Sequence, residues 1–388
     1  MINNKVIIVG GDHHNGLNLA RMLGDNDINV IAIIVTSNEY SFISRSKFIK
    51  EYHIFHTDKE AYDFILASFG EDKDKPIIIP YSDGAAMELD VRLDEFKSQF
   101  YVPSINNKAG EIARLMDKKN QYDWAVANGI RMAKSEMLEL RDSAHIIDTW
   151  QEYPCILKPM ISAQGKKGDI EICEDKSSLI SKITELLEKE YETVLIQPYL
   201  NIDYEIDVFG AICKKEPTIS LVPTETKRSF PVGKGTNCFS QIITDENRIR
   251  QCRNIISKLQ QSGFYGLYDI ELLVVNGEIL LNEINYRNSG DDYMVISQKF
   301  YYPMLWINDC LGILNTDNRD HMEQSTYAMT YWYDYQHVKQ KRISFFTWIR
   351  DVKRTSDFAL YDKKDMKPVY AFYYYSFLKK MRRLLKIN

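Results

Sequence analysis

The sequence predicts an α/β protein. A Rossmann-like N-terminal unit comes first, then a mixed two-lobed unit, then a C-terminal extension. Three observations predict it. Continuous apolar runs at residues 5–9, 30–35 and 77–80 alternate with helical stretches, as in a doubly wound parallel sheet with strands buried on both faces. Residues 266–287 read as a hairpin around Asn276-Gly277 that carries acids on both arms. From about residue 320 the composition turns aromatic, then basic. At 388 residues the chain exceeds one typical core, so two to three domains are expected.

Taken in order, the first strand runs into Gly10-Gly11 and Asn15-Gly16, then a helix at residues 17–23. This is not the strict dinucleotide fingerprint, and a tight strand-to-helix turn explains it equally well. His13-His14 sits at that strand end; a solvated loop pair is the simpler reading, a substrate contact the alternative. Asp83, after the run at 77–80, reads as a substrate contact or a helix cap. Asp117-Lys118-Lys119 opens a helix that ends near Asn128-Gly129. Lys158-Pro159 closes a short apolar strand, and the small-residue loop 162–168 follows. A cation beside free backbone N–H groups suits phosphate, but a surface lysine and an exposed turn fit as well. Residues 177–190 read as an amphipathic helix, 194–200 as a strand broken at Pro198, and 249–261 as a helix. Glu205 and Asp207 share a face of an alternating strand. Residues 297–311 read as a helix that covers the hairpin.

The hairpin holds the densest chemistry. Its first arm carries Asp269 and Glu271; its second carries Glu283 and Asn285, followed by Arg287. Two carboxylates and an amide are oxygen ligands suited to Mg²⁺, which also takes water and substrate phosphates. A strict two-residue turn with unbroken pairing would place Glu271 opposite Asn282 and turn Glu283 to the other face. A three-residue loop or a bulge restores a common face. The expectation is therefore an odd register, with both glutamates at one metal site. Solvated acids on an exposed hairpin are the plainer alternative.

The formal net charge of −5 argues against a general nucleic-acid binder. The six cysteines are scattered, with no Cys-x-x-Cys pair, so reduced thiols in a cytoplasmic protein are expected. The N-terminus enters a strand directly, unlike a signal peptide, and no apolar run is long enough for a bilayer. The aromatic and basic end, residues 370–386, reads as an interfacial helix with weak peripheral membrane contact or as a helix packed on the body. A single weak tail anchors poorly, which favours packing.

Together these pieces resemble the ATP-grasp superfamily over about residues 1–315. The matching order is Asp-Lys at 117–118, Lys158-Pro159, the loop 162–168, Gln197-Pro-Tyr-Leu200, and the two-acid hairpin with its Asn-x-Arg end. The twelve residues from Glu271 to Glu283 are similar to the spacing in biotin-carboxylase-type members. Ser44–Ser46 in sequence, Lys227-Arg228 with Pro231 and Gly233, and Trp348-Ile-Arg-Asp with Asp365 and Lys367-Pro368 resemble D-aspartate-ligase-like carboxylate–amine ligases. Two departures stand out: the loop holds only Gly165 and Gly168, and Gln197 replaces an acid common at the hinge.

The resemblance implies a pre-ATP-grasp domain at 1–110, an ATP-grasp domain at 111–315 with lobes at about 111–195 and 196–315, and an extension at 316–388. It implies ATP with Mg²⁺ (or Mn²⁺) as cofactors. Lys118 and Lys158 would bind phosphates, and Ser162, Gly165 and Gly168 would close over them. Gln197 with the backbone of Tyr199 and Leu200 would read adenine, and Glu205 would hold ribose hydroxyls. Glu271, Glu283 and Asn285 would ligate the metal. Arg287, with Arg228, would clamp a carboxylate substrate or developing phosphate charge. The implied reaction joins a small-molecule carboxylate to an amine (an amino acid, peptide or cell-wall precursor) through an acyl phosphate. Carbamoyl-phosphate-synthase-like activation of bicarbonate and a non-catalytic nucleotide-binding scaffold for cell-envelope assembly are the competing readings. Oligomeric state is not legible, a homodimer being the commonest arrangement.

Overall fold

A computed structural model describes residues 2–159, 171–232 and 235–384. Its first sheet joins β1 (Val6–Gly11), β2 (Val30–Val35), β3 (Ile49–Phe55) and β4 (Ile77–Pro80), all parallel, in the order β3-β2-β1-β4. Strands β1, β2 and β4 are apolar throughout because both faces are covered. Helix His14–Gly24 packs on one face, and helices Asp58–Phe69 and Asp83–Val91 on the other. The sequence reading did not foresee β3. It is an edge strand with exposed Lys50, Glu51 and Tyr52, and polar edges lack the apolar signature of central strands. Gly10 and Gly16 both lie against Tyr81, where an added Cβ would come within 2.6 Å of its ring. Those glycines therefore serve close packing of strand, helix and tyrosine.

Strand β5 (Ser104–Ile105) leads out of this unit. The second sheet is antiparallel: β6 (Glu136–Glu139), β7 (Cys155–Pro159), β8 (Glu171–Cys173) and β9 (Thr193–Pro198), in the order β6-β9-β7-β8. Helix Lys176–Glu188 covers it through Leu179, Ile183 and Leu186, which form a separate core with Leu157, Val194 and Ile196. The amphipathic pattern expected at 177–190 is thus a real helix, displaced by one or two residues.

The third sheet is the largest. It contains β10 (Tyr204–Ile212), β11 (Ile219–Phe230), β12 (Thr236–Ile242), β13 (Phe264–Val275), β14 (Glu278–Asn285), β15 (Tyr327–Met329) and β16 (Thr355–Phe358), in the order β14-β13-β10-β11-β12-β15-β16. Strand β5 also pairs with β13, so the first unit is stitched to this sheet. One face packs on helix Glu246–Gln261 through Ile249, Cys252, Ile256 and Leu259. The other continues into the first unit through Phe209, Ala211 and Leu267, with Tyr302 and Trp306 of helix Tyr302–Leu311. That helix starts later than the expected 297, because a 3₁₀ turn at Asp292–Val295 and Pro303 at its first turn set its entry.

Residues 316–388 supply β15 and β16 at the far edge of the third sheet, and their helices fasten it to the first unit. Arg21, 2% exposed, donates through Nε to Asp365 Oδ2 at 3.2 Å and through Nη2 to the carbonyls of Leu360 and Asp365. Asp365 also accepts from Ser46 Oγ at 2.7 Å and from the Lys47 N–H at 3.1 Å. Each Asp365 oxygen is thereby satisfied, which a buried carboxylate requires. Asp365→Ala should leave Arg21 buried and uncompensated, with a loss of about 3–5 kcal/mol of stability. Urea unfolding of the two proteins measures this; a change below about 1 kcal/mol would show that the pair is dispensable.

Candidate active site

The register of β13 and β14 decides whether the acids meet. The turn itself is a strict two-residue one: Val275 pairs with Glu278, and both Asn276 (φ 51°) and Gly277 (φ 77°) are left-handed. The three-residue loop is therefore not used. The odd register comes from a bulge at Asn282: Leu272 faces Leu281, while Glu271 faces Glu283 and Asp269 faces Asn285. Leu281 and Ile284 both join the apolar face over helix Glu246–Gln261, a spacing that unbroken alternation cannot give. The bulged Asn282 donates through Nδ2 to Glu271 Oε2 at 3.0 Å, which orients that carboxylate.

Strand β10 extends the row. Asp207 lies opposite Glu271, so Asp207, Glu271 and Glu283 cross three neighbouring strands on one face. Asp207 is buried and its pKa is held well above the ordinary carboxylate range, first by burial, then by the charges of Asp291, Glu271, Asp269 and Glu205. Its side chain accepts from Asn237 Nδ2 and, at 3.4 Å, from Thr226 Oγ1. A concentration of carboxylates that raises one member's pKa is the environment a divalent cation would relieve. The donor set fits Mg²⁺.

Two lysines approach the row, Lys118 from a helix packed on the third sheet and Lys158 from the second sheet. Lys118 is the first residue of helix Lys118–Ala127, whose N-cap Asp117 accepts from the Asn120 N–H at 2.9 Å. Lys158 is the penultimate residue of β7, near the strand end as expected. Its pKa is pushed down to about 8 by burial and by Lys118, against the opposing charges of Glu283, Glu271 and Glu205. The same electrostatic neighbourhood therefore contains two lysines and three of the acids that the sequence singled out. A polyphosphate placed among them would supply the missing negative charge at the lysines.

Strand β9 ends at Pro198. Gln197 is buried and its amide donates to Ser135 Oγ. The Tyr199 N–H donates to Pro154 O at 2.8 Å, which leaves the carbonyl as that residue's backbone group for a base. Glu205 opens β10 beside the acid row. Ser162, Gly165 and Gly168 lie outside the described residues.

The two arginines are placed differently. Arg287 donates through Nε to Asp83 Oδ1 at 3.0 Å and through Nη1 to Asp269, so it ties the first unit to the acid row. Burial acts to lower its pKa, but the charges of Asp83 and Asp269 outweigh this and hold it above the ordinary value. Asp83 is not the helix cap; Ser82 is, accepting from the Ala85 N–H. Arg228 instead makes a bidentate pair with Asp334 (2.7 and 2.9 Å) and a third bond to Asp351 at 2.7 Å. Two carboxylates compensate it, so in this arrangement Arg228 fastens the C-terminal helices to β11. Of the histidine pair, His13 is exposed but His14 is buried, its Nε2 3.1 Å from the Gly290 carbonyl oxygen. The expectation of a solvated pair fails for His14 because α-helical packing turns it inward.

Asp207, Asn237 and Asp291 received no role from the sequence. The Glu205/Asp207 alternation was a usable signal; Asn237 and Asp291 reach the site only through strand pairing and a loop, as Asn237 Nδ2 lies 3.4 Å from Asp291 Oδ2.

Two outcomes follow. Glu283→Gln should fold normally yet lose at least about 100-fold in Mg²⁺-dependent turnover, because an amide is a weaker ligand in the acid row. Near-normal turnover at ordinary Mg²⁺ would contradict the metal assignment. If Lys158 holds phosphate it must be charged to do so, and ATP affinity should then fall above pH about 8, by up to roughly tenfold per pH unit. Lys158→Arg should flatten that dependence over pH 7–10, since arginine stays protonated; isothermal titration at several pH values reads both. An affinity independent of pH in the native protein would remove Lys158 from the phosphate site.

Known proteins support the same architecture. The family profile for the ATP-grasp domain matches residues 124–298. Formate-dependent phosphoribosylglycinamide formyltransferase of Sulfolobus acidocaldarius is 24% identical over 144 residues, which cover 34% of this chain and 35% of that protein. D-alanine–D-alanine ligase of Sulfurimonas denitrificans is 25% identical over 217 residues, covering 54% and 60%. The chain thus spans between about a third and three fifths of the curated relatives it matches. Among solved structures, N5-carboxyaminoimidazole synthetase from Staphylococcus aureus complexed with ADP superposes with a TM-score of 0.65 at 15% identity, covering 89% of this chain and 86% of that one. With the Lys118/Lys158 pair and the bulged acidic hairpin in place, the fold is that of the ATP-grasp superfamily, and this chain carries an ATP-grasp domain.

Proposed function

We propose that this protein is an ATP-dependent carboxylate–amine ligase that works through an acyl phosphate and releases ADP and phosphate. The observation that carries the reading is the alignment of Asp207, Glu271 and Glu283 across three strands, with Lys158 near the end of β7 within the field of Lys118, Glu205, Glu271 and Glu283. Such a set suits a nucleotide polyphosphate with its divalent cation, and phosphoryl transfer depends chiefly on positioning and charge.

The proposed roles are those the resemblance implies, and the positions of the residues support them. Lys118 and Lys158 hold the phosphates. Gln197, the Tyr199 carbonyl and Leu200 face the base, and Glu205 the ribose. Glu271, Glu283 and Asn285, with Asp207 beside them, would hold Mg²⁺, which when bound neutralises charge on the phosphates. Arg287 orients the acceptor carboxylate; its Nε and Nη1 are held by Asp83 and Asp269, so the guanidinium is fixed before substrate arrives. Arg228 belongs to the scaffold in this reading. All six cysteines are free thiols, five of them buried, and none is assigned a catalytic role. A cytoplasmic location goes with that thiol chemistry and is part of the proposal.

The named relatives act on small molecules, which supports small acids and amines as substrates here. The test is incubation with Mg-ATP and pooled amino acids, peptides and cell-wall precursors, with and without hydroxylamine. ADP release should require a carboxylate, and hydroxylamine should trap the activated acid as a hydroxamate, because an acyl phosphate yields to a small strong nucleophile. AMP in place of ADP would overturn the mechanism. ADP with a stable phosphorylated alcohol and no hydroxamate would make the protein a kinase.

A further inference from the structure

Charge is distributed very unevenly along this chain. Residues 331–388 contain fourteen Lys and Arg against five Asp and Glu, a net charge of +9, whereas residues 1–330 carry −14 of the chain's total of −5. The five acids are turned largely inward. Asp334 and Asp351 are buried on Arg228, and Asp365 is buried on Arg21. Asp357 is buried and accepts from Ser297, at 2.6 Å from its hydroxyl and 2.8 Å from its N–H. Only Asp362 stays partly open. The outside of this end of the molecule is therefore basic.

Helix Lys367–Leu384 adds apolar surface to that charge. One side is anchored: Val369 is buried, Phe372 packs edge-on against Phe42 and lies 5.3 Å from Trp332, and Tyr375 lies 4.1 Å from Tyr40. The opposite side exposes Tyr370 (67%), Tyr374 (59%) and Phe377 (59%), which recur at i, i+4 and i+7 and form one stripe. Lys379, Lys380 and Arg382 are exposed around the following turn. Contiguous aromatic surface exposed on a helix marks a contact. Tyrosine and phenylalanine next to lysine and arginine are the side chains of the bilayer interface, where rings sit at headgroup depth and cations meet anionic lipid.

We propose that the outer face of helix Lys367–Leu384 docks on an anionic lipid surface, lying in the interface without crossing it. Among the described residues no helix is long and apolar enough to span a membrane. The negative remainder of the chain is repelled by the same surface, so docking through this end orients the molecule. A nucleic-acid partner is disfavoured because a single convex helix offers no groove to follow a phosphate backbone, and the adjoining body is acidic.

The test uses the full chain in co-sedimentation with vesicles of phosphatidylcholine alone and with about a third phosphatidylglycerol. Binding should be at least about tenfold stronger on the anionic vesicles and should be lost at high salt. Two triple variants should each weaken it at least fivefold: Tyr370→Ser, Tyr374→Ser, Phe377→Ser, and Lys379→Gln, Lys380→Gln, Arg382→Gln. Both should keep the native nucleotide affinity, which reports that the body is folded. Equal binding to both vesicle types, no binding to either, or undiminished binding by both variants would overturn the proposal. Concentration-dependent self-association without lipid, abolished by the aromatic variant and with no vesicle binding, would assign the face to a second copy instead.

Discussion

The arrangement depends on one backbone irregularity. Hairpin β13–β14 must satisfy two demands at once: a leucine and an isoleucine against helix Glu246–Gln261, and a glutamate opposite Glu271. Strict alternation meets only one, because a register shift of one residue exchanges faces. The extra residue Asn282 meets both, with Leu281 and Ile284 on the apolar side and Glu283 and Asn285 on the polar side. The apolar core thereby enforces the alignment of the acids. Sliding Glu283 away from Glu271 would also pull a leucine out of the core, so packing energy protects site geometry.

That alignment concentrates negative charge, and the protein leaves it only partly neutralised. Asp207 is driven toward its protonated form, while Lys158 is driven toward its neutral form by burial and Lys118. Each group is strained in the direction that a bound cation or a bound polyphosphate would reverse. Ligand binding and relief of these strains are then one process. The second sheet, which carries Lys158, has its own apolar core, while the third sheet shares a core with the first unit. Lys158 and the acids thus come from sheets with separate apolar cores, whereas Lys118 sits on a helix packed with the acidic hairpin.

The C-terminal region explains two stretches whose resemblance was noted without a mechanism. Ser46 of the Ser-Arg-Ser run bonds Asp365, and Arg228 of the Lys-Arg run bonds Asp351 of the Trp-Ile-Arg-Asp run. These short motifs, 319 and 123 residues apart, pair with each other across the fold. They turn acids inward and leave the basic side chains of the last helix outside, which creates the surface proposed to meet lipid.

The sequence by itself determined the alternating first unit, the acidic hairpin and the Lys158 strand end, because apolar periodicity and turn residues are local properties; the odd register was an expectation that hung on a shared metal site. It left β3 invisible, since a polar edge strand has no buried face to record. It pointed to a three-residue loop or a bulge without choosing, as both repair the same parity. Only the tertiary structure decided for the bulge, because the choice rests on helix Glu246–Gln261 covering Leu281 and Ile284. Only it separated the two arginines, fixing Arg287 on Asp83 and Asp269 and binding Arg228 to Asp334 and Asp351. A guanidinium reads the same in any sequence, and which carboxylate reaches it is decided by how distant strands and helices pack.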